Sequence, residues 1–262
     1  MKTRKEKNAA GRGKEFLVAS CGLVPSGRLA ADALEGLRAC GEVFSTSLDP
    51  TTEELVRKAG VPVRAVRKSY PALLRDIAAA FSRHGRVGLL VYGNPFFLNH
   101  PLGPLLKAVA GFARVRVLPG VSSADALIGL FGMSDLSSGL LCLDLNYFRE
   151  GAPLFTGAET FFFCPDRLNR PGGAALRAAF SKSLAAACPP ERPVFAVKCG
   201  AAPEDSEIVE GSVASLPRLI KLCGPQHTLV LLSEERTRLL ASGRLRPACG
   251  ITPLRAARRR GA

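Results

Sequence analysis

The chain has 262 residues, 47% hydrophobic and 22% charged, which is enough to bury a sizeable core and too apolar for a disordered protein. Its net charge of +14 sits mainly at the ends: residues 1–14 carry +5 and residues 244–262 carry +6, leaving only +3 for the middle. That distribution reads as solvated basic termini, with RNA as the partner they would attract, and argues against a nucleic-acid interface spread over the whole chain.

No apolar run is long enough to span a membrane. The opening MKTRKEKNAAGRGKEF is basic without the apolar segment of a secretory signal. Eight cysteines stand singly, none in a CxxC pair, which suits small buried thiols in a reducing cytoplasm rather than a zinc ribbon or a disulfide framework.

In chain order, Phe16–Ser20 reads as a strand ended by CGLVPSG, and Leu29, Ala33, Leu34 and Leu37 recur at helical spacing up to Gly41. Glu42–Ser45 is a second strand. Asp49-Pro50-Thr51-Thr52-Glu53 predicts a helix start, with Asp49 as its cap and Pro50 in its first turn. Val61–Val66 is extended, and Tyr70-Pro71 opens a helix carrying Leu73, Leu74, Ile77, Ala80 and Phe81. The apolar run Val87 to Val91 has no polar alternation, as expected of a parallel strand buried on both faces. It breaks at once into Tyr92-Gly93-Asn94-Pro95, followed by Phe96 and Phe97, which could wall a flat aromatic ligand. A helix over about 103–111 leads to a second unit of the same design, Val115–Leu118 followed by Pro119-Gly120-Val121-Ser122-Ser123, where either serine can cap the next helix. In open α/β sheets ligands bind outside the carboxyl ends of strands, so two strand-to-glycine-loop units place a small-molecule site there.

After Gly139 the pattern changes. Strands read at 140–143, 160–164, 193–197 and 227–232, with longer connections and a proline-rich link, Cys188 to Pro193. The predicted organisation is a basic arm over 1–14, a βα-alternating domain over 15–137, a second α/β domain over 138–250 and a basic tail over 251–262.

The common chemical signatures are absent. There is no GxxxxGK[ST] loop, no GxGxxG after the first strand, no HExxH and no GxSxG. Three scattered histidines supply no metal set, so no metal is expected. The loops are instead suited to holding a ligand with backbone amides and carbonyls.

The order of these stretches resembles the tetrapyrrole methylase superfamily, whose members use S-adenosylmethionine, and most of all its borosin-type peptide backbone N-methyltransferases. ASCGLVPSGRL is similar to the first loop of that group, and GEVFSTSLDPTTEELV to its second strand and Asp-Pro helix start. VYGNPFFLNHP resembles its YGHPGVF loop, VRVLPGVSSADAL its LPGVSAEDCL, and SGLLCLDLNYF the strand that opens its second domain. The likeness covers about residues 16–150.

The resemblance implies two α/β domains of tetrapyrrole methylase type with the cofactor cleft between them, a homodimer, and methyl transfer that leaves S-adenosylhomocysteine. It puts Tyr92, Gly93, Asn94, Pro95, Phe97, Pro119, Gly120, Ser122, Ser123 and Leu143 at the cofactor, and Tyr70, Arg67 and Tyr147 at the acceptor as base or oxyanion stabiliser. The acceptor it favours is a backbone amide of a precursor peptide supplied in trans. The alternatives are a tetrapyrrole or ribosomal RNA acceptor, or a non-catalytic member that binds the cofactor or a partner. Asn94 stands where the borosin loop has histidine and Phe96 where it has glycine. The tyrosine-rich segment is shortened to Tyr70, and Arg67 is one residue out of step. Each residue also has a structural reading: Asn94 capping its own turn, Tyr70 packing a helix start, Arg67 as a solvated charge, Tyr92 closing a strand, and Phe96, Phe97 and Tyr147 as core.

Overall fold

The computed structural model describes residues 13–23, 29–45, 49–66, 69–149, 151–152, 154–200 and 202–254. The expected basic arm therefore lies almost wholly outside the described residues, as does the tail from residue 255 onward. The chain is α/β and divides into two compact units, residues 1–123 and 124–262.

In the first unit the strands are β1 (Glu15–Ser20), β2 (Glu42–Ser45), β3 (Val63–Ala65), β4 (Arg86–Val91) and β5 (Arg114–Val117). The helices are α1 (Ala31–Arg38), α2 (Pro50–Lys58), α3 (Tyr70–Ala80) and α4 (Leu102–Val109), and α5 (Ser123–Leu130) leaves it. The five strands form one all-parallel sheet in the order β3-β2-β4-β1-β5. Each face of that sheet is roofed by two helices. Phe16, Val18, Phe44, Leu89 and Val91 pack under Leu73 and Ile77 of α3 and Leu102 and Leu105 of α4. On the other face Leu17, Ala19, Val43 and Leu90 pack under Ala33 and Leu37 of α1 and Val56 of α2. The unbroken apolar run of β4 is thus explained: its pleat sends alternate side chains into two separate cores.

This topology locates the functional edge. The chain leaves β1 and β2 toward the face of α1 and α2, but leaves β4 toward the face of α4. Both crevices beside the carboxyl end of β4 are therefore topological switch points, where neighbouring loops part and expose backbone.

The second unit holds β6 (Leu140–Asp144), β7 (Glu159–Phe163), β8 (Pro193–Lys198), β9 (Glu207–Ser212), β10 (His227–Leu231) and β11 (Ile251–Pro253). They form a mixed sheet ordered β11-β9-β8-β10-β7-β6, antiparallel at its centre and parallel at both edges. Its helices are α6 (Ala174–Ala187), α7 (Leu216–Ile220) and α8 (Glu234–Ala241). One face buries Phe162, Leu229 and Leu231 against α6 and α7, with the Phe180 ring edge-on to Phe162 at 5.0 Å. Across the chain Phe131 meets Phe195 at 5.8 Å. The fully buried Glu159 accepts from the Ser233 hydroxyl (2.8 Å), the Ser233 N–H (2.9 Å) and Arg236 Nε (2.9 Å), so its charge is paired and its oxygens are satisfied at the start of α8.

Two sequence expectations change here. Ile251–Pro253, assigned to the basic tail, pairs in parallel with Ile208–Glu210 and completes the sheet. The partner strand β9, reading EIVEGS, lacks clear alternation and is not legible in the sequence. Cysteine burial is also uneven: Cys21, Cys40, Cys188 and Cys223 are buried, but Cys142 is exposed.

The start of α2 shows how local chemistry fixes an element. Asp49 is extended, its Oδ1 accepts from the Thr52 N–H (3.0 Å) and its Oδ2 from the Thr52 hydroxyl (2.6 Å). Burial alone would raise this carboxyl, but the hydrogen bonds from Thr52 outweigh it and the group titrates below its ordinary value. A depressed carboxyl contributes stability above its unfolded pKa and loses it as pH falls through the folded one. Asp49→Ala is expected to lower the unfolding free energy by about 1 kcal/mol near neutral pH. The gap from the parent should narrow on acidification below about pH 4, as read from urea denaturation followed by circular dichroism.

Candidate functional site

The loops that follow β1, β4 and β5 are joined to one another at the carboxyl edge of the first sheet. The Gly93 N–H donates to the Gly22 carbonyl (3.0 Å), Cys21 N–H to the Val91 carbonyl (2.8 Å) and Leu118 N–H to the Val18 carbonyl (2.8 Å). Gly22 N–H in turn donates to the Ser20 hydroxyl (2.8 Å). Gly93 has φ +61°, a left-handed conformation that costs any residue with a Cβ. The space its missing side chain leaves open is bounded by the Val121 carbonyl and Ser122 Cα, each 3.9 Å from where a Cβ would sit. This is a backbone-lined cradle at a switch point.

The β4 loop is also strained. Leu98 has φ +56°, which is rare for a bulky side chain and is held only where surrounding structure dictates it. Both ends of the loop are tied down. The Asn94 side chain accepts from the Phe96 N–H (3.0 Å) and the Asn94 carbonyl from the Phe97 N–H (3.0 Å). The Asn99 side chain accepts from the Tyr70 hydroxyl (3.1 Å), and its carbonyl from the Leu102 N–H (3.0 Å). The residues 92–99 and 118–123 carry no charged side chain. What these loops offer a ligand is carbonyls, N–H groups, serine hydroxyls and apolar surface, and the second of them ends at Ser123, the first residue of α5.

Of the residues expected at the cofactor, Tyr92, Gly93, Asn94, Pro95, Phe97, Pro119, Gly120, Ser122 and Ser123 all lie in these two loops. Pro95 and Ser122 are buried, Tyr92 and Phe97 half-buried and Pro119 exposed. Phe96 is 68% exposed and Val121 48% exposed, so the core reading of Phe96 is overturned: the two form apolar surface open to solvent beside the cradle. Leu143 lies on β6 in the second unit and packs against its core. Among the acceptor residues, Arg67 falls outside the described residues. Tyr70 opens α3 with its hydroxyl proton engaged by Asn99. Tyr147 lies in the second unit, in the turn after β6 where its N–H donates to the Asp144 carbonyl (3.0 Å), and at 62% exposure it is not core. The sequence reading missed Val121, Leu98 and Asn99; the strain and the tie to Tyr70 have no signature in the sequence.

One neighbouring group is set aside on physical grounds. Burial pushes the Cys21 thiol up to about 12, against an opposing backbone hydrogen bond, so it is no thiolate nucleophile. No group of three His, Cys, Asp or Glu among the described residues could hold a metal ion.

Gly120 needs to be glycine for packing: a Cβ there would stand 2.1 Å from the Ser20 Cβ. Gly120→Ala is therefore expected to lower the melting temperature by overpacking, at about 1–3 kcal/mol. Adding Ser20→Gly, which removes the colliding atom, should recover part of the loss in the double variant. Equal melting of Gly120→Ala and the parent would refute this contact.

No family model matches the sequence, and no curated protein matches it. Solved structures do. A uroporphyrin-III-C-methyltransferase from Thermus thermophilus superposes with a TM-score of 0.64 over 88% of this chain and 98% of its own, at 22% identity. A diphthine synthase gives 0.64 over 87% of this chain and 95% of its own, at 19% identity. At such identities the likeness establishes the fold, and the chain has the two-unit α/β fold of these proteins.

Proposed function

We propose that this protein is an S-adenosylmethionine-dependent methyltransferase that methylates a backbone amide of a peptide presented in trans. The observation that carries this reading is the cradle at Gly93: an uncharged, strained, backbone-lined loop pair at the switch point of a fold shared with a solved methyltransferase.

The residues present fit that cofactor. Its sulfonium is a cation and suits carbonyl oxygens such as that of Val121, and its adenine is flat and suits Phe96 and Phe97. Its hydroxyl and carboxylate groups suit the serines and N–H groups at the start of α5. When bound, S-adenosylmethionine supplies an already activated methyl group, so the protein's task is orientation and exclusion of water. Gly93 gives close backbone approach. Tyr70 acts as a positioning residue, because its hydroxyl bond to Asn99 fixes the far end of the loop. Val121 offers an acceptor apolar contact.

Calorimetric titration with S-adenosylmethionine and S-adenosylhomocysteine is expected to give micromolar binding, about −8 kcal/mol. Gly93→Val should abolish it. Tyr70→Phe should lower the unfolding free energy by about 1 kcal/mol, the worth of one net hydrogen bond, and weaken binding through the loosened loop. A folded protein that releases no heat at millimolar ligand would sink the methyltransferase reading. Binding without label transfer from methyl-labelled cofactor to peptide amides would retain the cofactor site and overturn the peptide acceptor.

A further inference from the structure

Between the first turns of α3 and α4 the first unit has a groove of about 330 Å³, walled by Pro71, Leu74, Pro101, Pro104 and Leu105 with the Tyr70 ring beside them. The one polar side-chain group on its wall is the Tyr70 hydroxyl, which is already bonded to Asn99. Helix starts normally offer free N–H donors and so attract anions. Here Pro71 occupies the second position of α3, while Pro101 caps α4 and Pro104 sits in its first turn, and proline has no N–H. The groove is therefore built for apolar side chains, and its rigid proline walls lose little entropy when it is filled.

Its rim is positive. Arg75 stands one turn after Pro71 on α3 and Lys107 one turn after Pro104 on α4, on the helix faces that carry those wall residues; both are exposed, and neither has a carboxylate partner among the described residues. The one acid on these two helices, Asp76, is half-buried and already engaged. These charges discriminate between occupants. A symmetric contact of this groove with the same groove of a second copy would set Arg75 and Lys107 against their own kind. The chain's own ends are strongly basic and are repelled in the same way. We infer that the groove docks an acidic segment of a different protein, with aliphatic side chains between the prolines and carboxylates against Arg75 and Lys107.

The test uses the full chain and fluorescence anisotropy. The probe is a labelled peptide of about fifteen residues with leucines at helical spacing and glutamates between them; in the control, lysines replace the glutamates. The glutamate peptide is expected to bind at micromolar concentration and the lysine peptide at least about tenfold more weakly. Ala108→Glu, at an exposed wall position, should reduce glutamate-peptide binding about tenfold or more. The double variant Arg75→Glu, Lys107→Glu, changed only at exposed positions, should reverse the preference. No binding of either peptide, equal binding of both, or a protein dimer that Ala108→Glu dissociates would each overturn the proposal. None of these readouts needs a methyl donor, so the docking surface can fail while the proposed activity stands, and the reverse.

Discussion

Leu89 and Leu90 are adjacent in the chain, and both are shut off from water, yet they serve different cores. Leu89 packs beneath α3 and α4, and Leu90 beneath α1 and α2. Such two-sided burial is stable only where helices cover both faces of a parallel sheet, so the crossovers must divide between the faces. Once they divide, the loops on either side of β4 part at its carboxyl end. The position of the candidate site is a consequence of how β4 is buried, before any side chain in the loop is considered.

The loop chemistry then follows from confinement. The β1 and β4 loops are bonded to each other at Gly22 and Gly93, the β5 loop joins β1 through Leu118 and Val18, and the β4 and β5 loops carry no charged side chain. The backbone conformation at Leu98, costly in isolation, persists because both flanks of the loop are fixed. Several residues expected at the site also have an architectural role. Asn94 bonds its own turn, Gly120 makes room for Ser20, and Tyr70 secures Asn99. A site of this kind binds through shape and dipoles, which suits a cofactor that brings its own reactive group.

The second unit is organised differently. Its mixed sheet relies on an aromatic core around Phe162 and Phe180 and on the buried Glu159, whose charge is matched by Arg236 and by Ser233 at the start of α8. Glu159 stands at the start of an otherwise apolar strand, ETFFF, and its partners come from more than seventy residues further on. Two large aromatics of this unit, Tyr147 and Phe155, are exposed.

The sequence alone determined the elements whose signals are local. The apolar run at Val87 to Val91, the cap and proline at Asp49-Pro50, and the helical spacing of Leu73 and Ile77 each encode their structure within a few residues. They also showed that glycine loops follow β4 and β5, hence where to look for a site. The tertiary structure decided everything that depends on partners distant in sequence. Strand β9 and the late strand β11 are held by pairing across about forty residues and carry no period of their own. The strain at Leu98, the engagement of Tyr70 by Asn99, the collision that keeps Gly120 a glycine, and the proline-walled groove between α3 and α4 arise only when separate segments are packed together. Local propensity reports what a segment favours by itself; packing and hydrogen bonding between segments determine which side chains are left to meet a ligand.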